Sequence, residues 1–194
     1  GRQRTFARYI ENRAEFVKRS GKPLPVPDVQ VVERSKSQTD AAADEQTRLG
    51  EAMARARSIA DFVIIDTPGS DTNLSRIAHT FADTLVTPLN DSFVDLDVLA
   101  LLDPDTLAIQ RPGAYAELVW ESRKQRAIRD RGSIDWIVVR NRLATLDTRN
   151  KRNMEKVLAS LAKRIGFRTA PGFGDRVIFR EMFLSGLTLL DLRD

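Results

Sequence analysis

The sequence contains no cysteine and a single histidine, His79. Disulfides and thiolate metal sites are therefore excluded, and so is a histidine-rich metal centre. Any metal must be held by oxygen ligands, and Mg2+ is the ion expected. Long apolar runs are also missing. No window approaches the ~20 uninterrupted apolar residues of a membrane-spanning helix, and the opening GRQRTFARYIENR has no apolar core of the kind a signal peptide needs. These absences predict a cytoplasmic protein with no membrane partner. There is no internal repeat and no low-complexity tract beyond a short Ala/Asp run near residue 42.

What remains is the material of a globular domain. Of 194 residues, 42% are apolar and 30% charged, enough to bury a core and too much for a disordered chain. One domain over 1–194 is expected. The net charge is only +4, but the cations are clumped: Arg123, Lys124, Arg126, Arg129 and Arg131, then Arg140, Arg142, Arg149, Lys151 and Arg152. Such clumps either attract phosphate backbones and acidic partners or form a solvated surface, and charge alone leaves both open.

Periodicity divides the chain. RTFARYIENRAEFVKRS repeats apolar residues at helical spacing until Gly21, and KPLPVPDVQVVER follows as an extended segment with a short strand at VQVV. A polar loop leads into a helix over EQTRLGEAMARARSIA. FVIID (62–66), TLVTP (84–88) and DWIVVRN (135–141) read as strands, with NLSRIAHTFA as the crossover helix between the first two. Short apolar runs separated by helices predict an α/β fold, a doubly wound parallel sheet with helices on both faces. Ligands bind such sheets at the carboxyl ends of the strands, where the turns at Asp66, Pro88 and Asn141 fall.

LNDSFVDLDVLALLD reads as a helix opened by Asp and Ser. Asp91, Asp95 and Asp97 could form a carboxylate cluster for metal; caps and first-turn acids that complement the helix dipole are the preferred reading. In TRNKRNMEKVLASLAKRIG, Met154, Val157, Leu158, Leu161 and Ile165 form one stripe at ~100° per residue. Arg149, Arg152, Lys156 and Lys163 gather nearly opposite.

DFVIIDTPGSD, an apolar strand ending in Asp and an Asp-Thr-Pro-Gly turn, has the parts that a P-loop NTPase places beside its phosphate loop. There the Asp accepts a hydrogen bond from a water on Mg2+, and the glycine lets the backbone approach the γ-phosphate. As an isolated pattern it is weak, and Asp66 capping the next turn is the reading that the residues alone favour. The loop itself, G-x-x-x-x-G-K-[S/T], is absent from the sequence.

DFVIIDTPGSD, LVTPLNDSFVDLDVL, VWESRKQRA, DWIVVRNRLATLDTRNKR and GFRTAPGFGDRVIFREMFLSGLTLLDL, taken together and in order, resemble the ParA/MinD family of deviant-Walker ATPases. Within that family they are most similar to the MipZ regulators of the division plane. The resemblance implies a P-loop NTPase-like fold with ATP and Mg2+ as cofactors. It implies that Gly1 follows the second strand, so that a βαβ unit of ~30 residues or more, with the phosphate loop and the catalytic groups, is expected upstream. The family's C-terminal helix is expected beyond Asp194. The chain alone is then expected not to hydrolyse ATP.

Carried over residue by residue, the resemblance makes Asp66 the aspartate that holds Mg2+ through water, and Thr67, Pro68 and Gly69 the start of the switch that senses the γ-phosphate. It makes Asn141 and Arg142 the pair that meets the adenine, with Pro171 closing from the other side. Arg149, Lys151 and Arg152, joined by Lys156 on the same helix, match part of a surface that binds DNA without sequence preference. Gly174 stands where an arginine would extend that surface, and Arg176 is the substitute expected. The implied partners are a second copy on ATP binding, DNA, a ParB-type protein and FtsZ, in the bacterial cytoplasm on the nucleoid. A ParA-type partitioning ATPase and a non-catalytic interaction module are the alternatives. His79 follows the switch, where a general base is conceivable, although phosphoryl transfer relies mainly on positioning and metal electrostatics. Trp120 and Trp136 read as core or interface packing.

Overall fold

The computed structural model describes residues 4–36, 39–143 and 149–192. In chain order its elements are α1 (Thr5–Ser20), α2 (Ala41–Ile59), α3 (Asn73–Phe81), β1 (Thr84–Asn90), α4 (Phe93–Leu96), β2 (Ala100–Leu102), β3 (Ile109–Pro112), α5 (Ala114–Asp130), β4 (Asp135–Asn141), α6 (Arg149–Leu161), β5 (Arg168–Ala170) and α7 (Val177–Phe183). The fold is α/β with a parallel sheet flanked by helices. Two compact units are present, Gly1–Ala78 with Arg176–Asp194, and His79–Asp175. Among the described residues no helix is long and apolar enough to cross a membrane.

In the first unit, α1 ends where the spacing predicts, at Gly21, whose φ of 67° lets its amide bond the Val17 carbonyl at 3.0 Å. The buried face of α1 carries Ile10 and Arg13. Arg13 donates to both carboxylate oxygens of Asp191 at 2.8 Å, to the Pro25 carbonyl at 2.6 Å and to that of Gly186 at 3.0 Å. Its charge is thus matched and its donors are used, the condition under which a buried cation is tolerated. Helix α2 buries Leu49, Ala52 and Met53. It also buries Glu45, which accepts from the Ser35 amide at 3.0 Å and from Asn73 at 2.8 Å. Thr72 and Ser75 cap the start of α3 reciprocally, each side chain accepting from the other's amide.

Two expected strands are not formed. VQVV (29–32) is extended without a ladder partner, and so is FVIID (62–66). Phe62 is 89% exposed and Ile64 76%. An apolar run becomes a strand only when a neighbour supplies amides and carbonyls, and among the described residues none lies beside it.

The second unit holds the sheet, ordered β1-β4-β5 and parallel throughout. Thr84 pairs with Asp135 and Asn90 with Asn141, so the two carboxyl ends lie level. β1 alternates: Leu85, Thr87 and Leu89 turn inward, whereas Val86 on the other side is 55% exposed. The core gathers Leu89, Trp136 and Val138 from the sheet, Ala116 and Val119 from α5, and Met154, Val157, Leu158 and Leu161 from α6. The apolar stripe read from the sequence is the packed face of α6.

LNDSFVDLDVLALLD departs from the expected helix. After Ser92, whose hydroxyl accepts from the Val94 amide at 3.2 Å, the helix lasts a single turn. The chain then enters an antiparallel hairpin of β2 and β3. The turn between them is held by Asp103, which accepts from the Thr106 amide at 2.8 Å and its hydroxyl at 2.7 Å. Leu96, Leu99 and Ala100 are buried as their spacing predicts; hydrogen bonding to β3 decides that the last of them is strand.

Candidate nucleotide site and basic helix

Asp66–Gly69 lies in the first unit, and Asn141, Arg142 and Pro171 in the second. Asp66 is exposed and has no hydrogen-bond or ion-pair partner among the described residues. A side chain built on Gly69 would meet nothing within 4 Å, so the turn presents open backbone beside a free carboxylate. That arrangement fits a hydrated Mg2+ bound to phosphate, since Mg2+ keeps most of its waters and uses one or two carboxylates. A protein-only metal cage is not formed: among the described residues no group of three or more His, Asp or Glu side chains is placed to hold an ion. The alternative cluster of Asp91, Asp95 and Asp97 is accordingly not assembled. Asp91 pairs with Arg140 and Asp95 accepts from the Asn90 amide at 3.2 Å.

At the carboxyl end of β4 the chain turns sharply. Arg142 sits at φ 52°, in the left-handed region that costs a non-glycine residue about 1–2 kcal/mol. The loop after β5 holds this turn. The Phe173 amide donates to the Arg140 carbonyl at 2.9 Å, the Leu143 amide to that of Phe173 at 2.9 Å, and the Asp175 amide to that of Leu143 at 3.1 Å. A parallel bridge joins Leu143 to Gly174. The structure therefore brings the loop bearing Pro171 alongside Asn141 and Arg142, two segments that the sequence separates. Asn141 is half-buried, while Arg142 and Pro171 are exposed.

Gly172 makes the close approach possible. A Cβ there would stand 2.6 Å from the Arg140 carbonyl oxygen and 2.6 Å from Leu143 Cδ1. Gly172→Ala is expected to destabilise the second unit by about 1–3 kcal/mol through overpacking against backbone. Urea denaturation followed by tryptophan fluorescence checks this, and an unchanged midpoint would show that the loop can move aside.

Arg140 has a role that the sequence conceals. It belongs to a cationic run, yet its side chain is 11% exposed and forms ion pairs with Asp91 at 2.5 Å and Glu155 at 2.6 Å. No motif or spacing links residues 91, 140 and 155. The only signal available was the position of Arg140 next to Asn141.

On α6, Arg152 and Lys156 are exposed and Lys151 is half-buried. Arg149 opens the helix, but its side chain lies outside the described residues. Arg176 is exposed and belongs to the first unit. Cationic residues of α5 are engaged locally: Arg126 and Arg129 bond the carbonyls of residues 80–82, and Lys124 lies 4.3 Å over the Trp120 ring. Trp120 is 62% exposed and Trp136 buried, so only the latter is core.

His79 is buried and hydrogen-bonded to the Tyr115 hydroxyl at 3.0 Å, which Thr87 approaches at 3.2 Å. Trp136 Nε1 donates to Thr87 at 3.0 Å. Burial in this network pushes the Tyr115 phenol up from its ordinary value. The network is structural, and the histidine is not presented at an open turn as a general base would be.

The profile of the family described as ATPase MipZ matches residues 1–194. A search of curated proteins finds no match. The family is one of ATPases, which implies that its members use a nucleotide. Matched along its entire length, the chain belongs to the ATPase MipZ family.

Proposed function

We propose that this protein is the ATP-dependent switch of a MipZ-type system, forming a dimer with ATP and Mg2+, binding DNA and a ParB-type protein, and restraining FtsZ assembly at the division plane. The observation that carries the reading is the family match over residues 1–194. The open turn at Asp66–Gly69 and the exposed cations of α6 support it.

Asp66 would hold Mg2+ through water, and Thr67 and Gly69, on either side of Pro68, would bring backbone amides to the terminal phosphate. When bound, the ion neutralises charge that develops on the phosphates. Asn141 and Arg142, with Pro171 opposite, would orient the base. ATP favours the dimer through contacts that hydrolysis removes, so the nucleotide state sets how long the protein stays on DNA. Arg152 and Lys156 would contact phosphates, which gives salt-dependent binding without sequence preference.

The test is retention of the full-length protein on non-specific DNA with and without ATP. Retention is expected to rise with ATP. The double substitution Arg152→Ala, Lys156→Ala is expected to lower it and to reduce the log–log salt slope by about 1–2. Retention indifferent to ATP would defeat the reading. A partitioning role would instead show as cargo movement with FtsZ assembly unaffected.

The alternative is a non-catalytic module that acts through the exposed cations of α6. Purified residues 1–194 are expected to show no ATP turnover. Full-length protein that binds DNA but neither binds nor hydrolyses ATP would establish the module.

A further inference from the structure

Arg140 occupies a junction of four segments in the second unit. Its guanidinium reaches Asp91 Oδ1, just past β1, through Nε at 3.1 Å and through a terminal nitrogen at 2.5 Å. The other terminal nitrogen donates to Glu155 Oε1 on α6 at 2.6 Å. Its backbone carbonyl accepts from Phe173, in the loop after β5, at 2.9 Å. Arg140 and Asp91 are 11% and 12% exposed in their side chains, whereas Glu155 is 55% exposed.

The geometry needs arginine. Two carboxylates from different elements are met by one planar fork with donors on separate edges, and a lysine ammonium is a point charge that cannot hold both in these positions. The residue held in this way immediately precedes Asn141, and the loop that its carbonyl holds is the one bearing Pro171. Small displacements of groups that orient a ligand are costly, because recognition depends on hydrogen bonds of narrow geometry.

We propose that Arg140 is the positioning residue of the base site. By tying Asp91, Glu155 and the Phe173 amide to one side chain and one carbonyl, it sets the exit of β4 against the loop after β5 and makes the site selective for adenine. The proposal rests on the adenine-nucleotide reading given above. A residue that only stabilised the unit would alter the folded fraction and leave base selectivity in the folded protein unchanged.

The experiment is equilibrium titration of the full-length protein with ATP and with GTP, for the unsubstituted protein, Arg140→Lys and Glu155→Ala. The unsubstituted protein is expected to prefer ATP. Arg140→Lys is expected to weaken ATP binding about tenfold while GTP changes less than about twofold, so that the preference collapses. Glu155→Ala removes only the exposed arm and is expected to lower the preference about threefold. A folded Arg140→Lys protein with unchanged preference overturns the proposal. If that variant does not fold, an unchanged preference in Glu155→Ala overturns it. Equal binding of ATP and GTP by the unsubstituted protein also overturns it but leaves nucleotide binding intact. Binding of neither removes the adenine-nucleotide reading itself.

Discussion

Replacing Asp191 with alanine is expected to destabilise the first unit by about 3–5 kcal/mol, because it leaves the Arg13 guanidinium buried without its counter-ion. The Arg13 side chain is 7% exposed and that of Asp191 9%, so little water can take over the lost interaction. Gly186 reinforces the site. Its φ is 60°, and a side chain there would collide with the Tyr9 carbonyl and the Arg13 amide. Exchange of α1 amides reports opening of this unit by itself. A loss below about 1 kcal/mol would show that the pair is solvated in solution.

The same pair has a defined acid response. Hydrogen bonding to Arg13 holds the Asp191 carboxyl well below the usual carboxylate range, against the opposing effect of burial. A carboxylate with a depressed folded value contributes stability that is fully present above its unfolded value of about 3.9. The contribution is lost as pH falls from there toward the folded value. Asp191→Asn is therefore expected to differ most from the unsubstituted protein near neutrality, with the two stability curves converging below about pH 3. A constant difference down to that pH would rule out linkage through Asp191.

Arg126→Met is expected to cost the second unit about 3 kcal/mol. The Arg126 side chain is 10% exposed and gives four hydrogen bonds, to the carbonyls of Phe81 and Ala82 at 3.1 and 3.0 Å, to Asp83 at 2.7 Å and to Asp130 at 2.8 Å. Asp83 is 80% exposed, so its pairing contributes little. Most of the cost comes from two carbonyls left without a donor where α3 runs into β1, since methionine replaces the stem but not the fork. Both tryptophans lie in this unit, and their fluorescence during urea unfolding reads the change. Arg126→Lys is expected to recover less than about half of it, because one ammonium cannot serve four acceptors in fixed positions. Full recovery by lysine would mean that charge alone matters there.

The elements that were legible in the sequence are those completed within their own segment. Helix α1 announces its apolar stripe and its terminal glycine, and α6 shows its packed and basic faces, because both follow from ~100° per residue and bonds made inside the helix. β1 and β4 were legible as dense apolar runs that also find each other in register from Thr84–Asp135 to Asn90–Asn141. FVIID is at least as apolar as those strands and is not one, since a strand is completed by a neighbour. At LNDSFVDLDVLALLD the buried positions were correctly spaced. The backbone carrying them was decided by pairing with β3.

The candidate site divides in the same way. Asp66, Gly69 and Asn141 stand out in sequence because they end apolar runs. That Pro171 lies alongside Asn141 emerges only from the bonds joining residues 140–143 to 173–175. The carboxylates that neutralise Arg140 and Arg13 are 49 and 178 residues away along the chain. By itself the sequence determined the α/β alternation, the exclusion of disulfides, thiolate metal sites and a histidine-rich metal centre, and the blocks that place the chain in its family. Only the tertiary structure decided which cations are neutralised inside the protein and which, like Lys156, face water. Residue type sets whether a charge exists, whereas its pairing depends on groups that approach only when distant segments fold together.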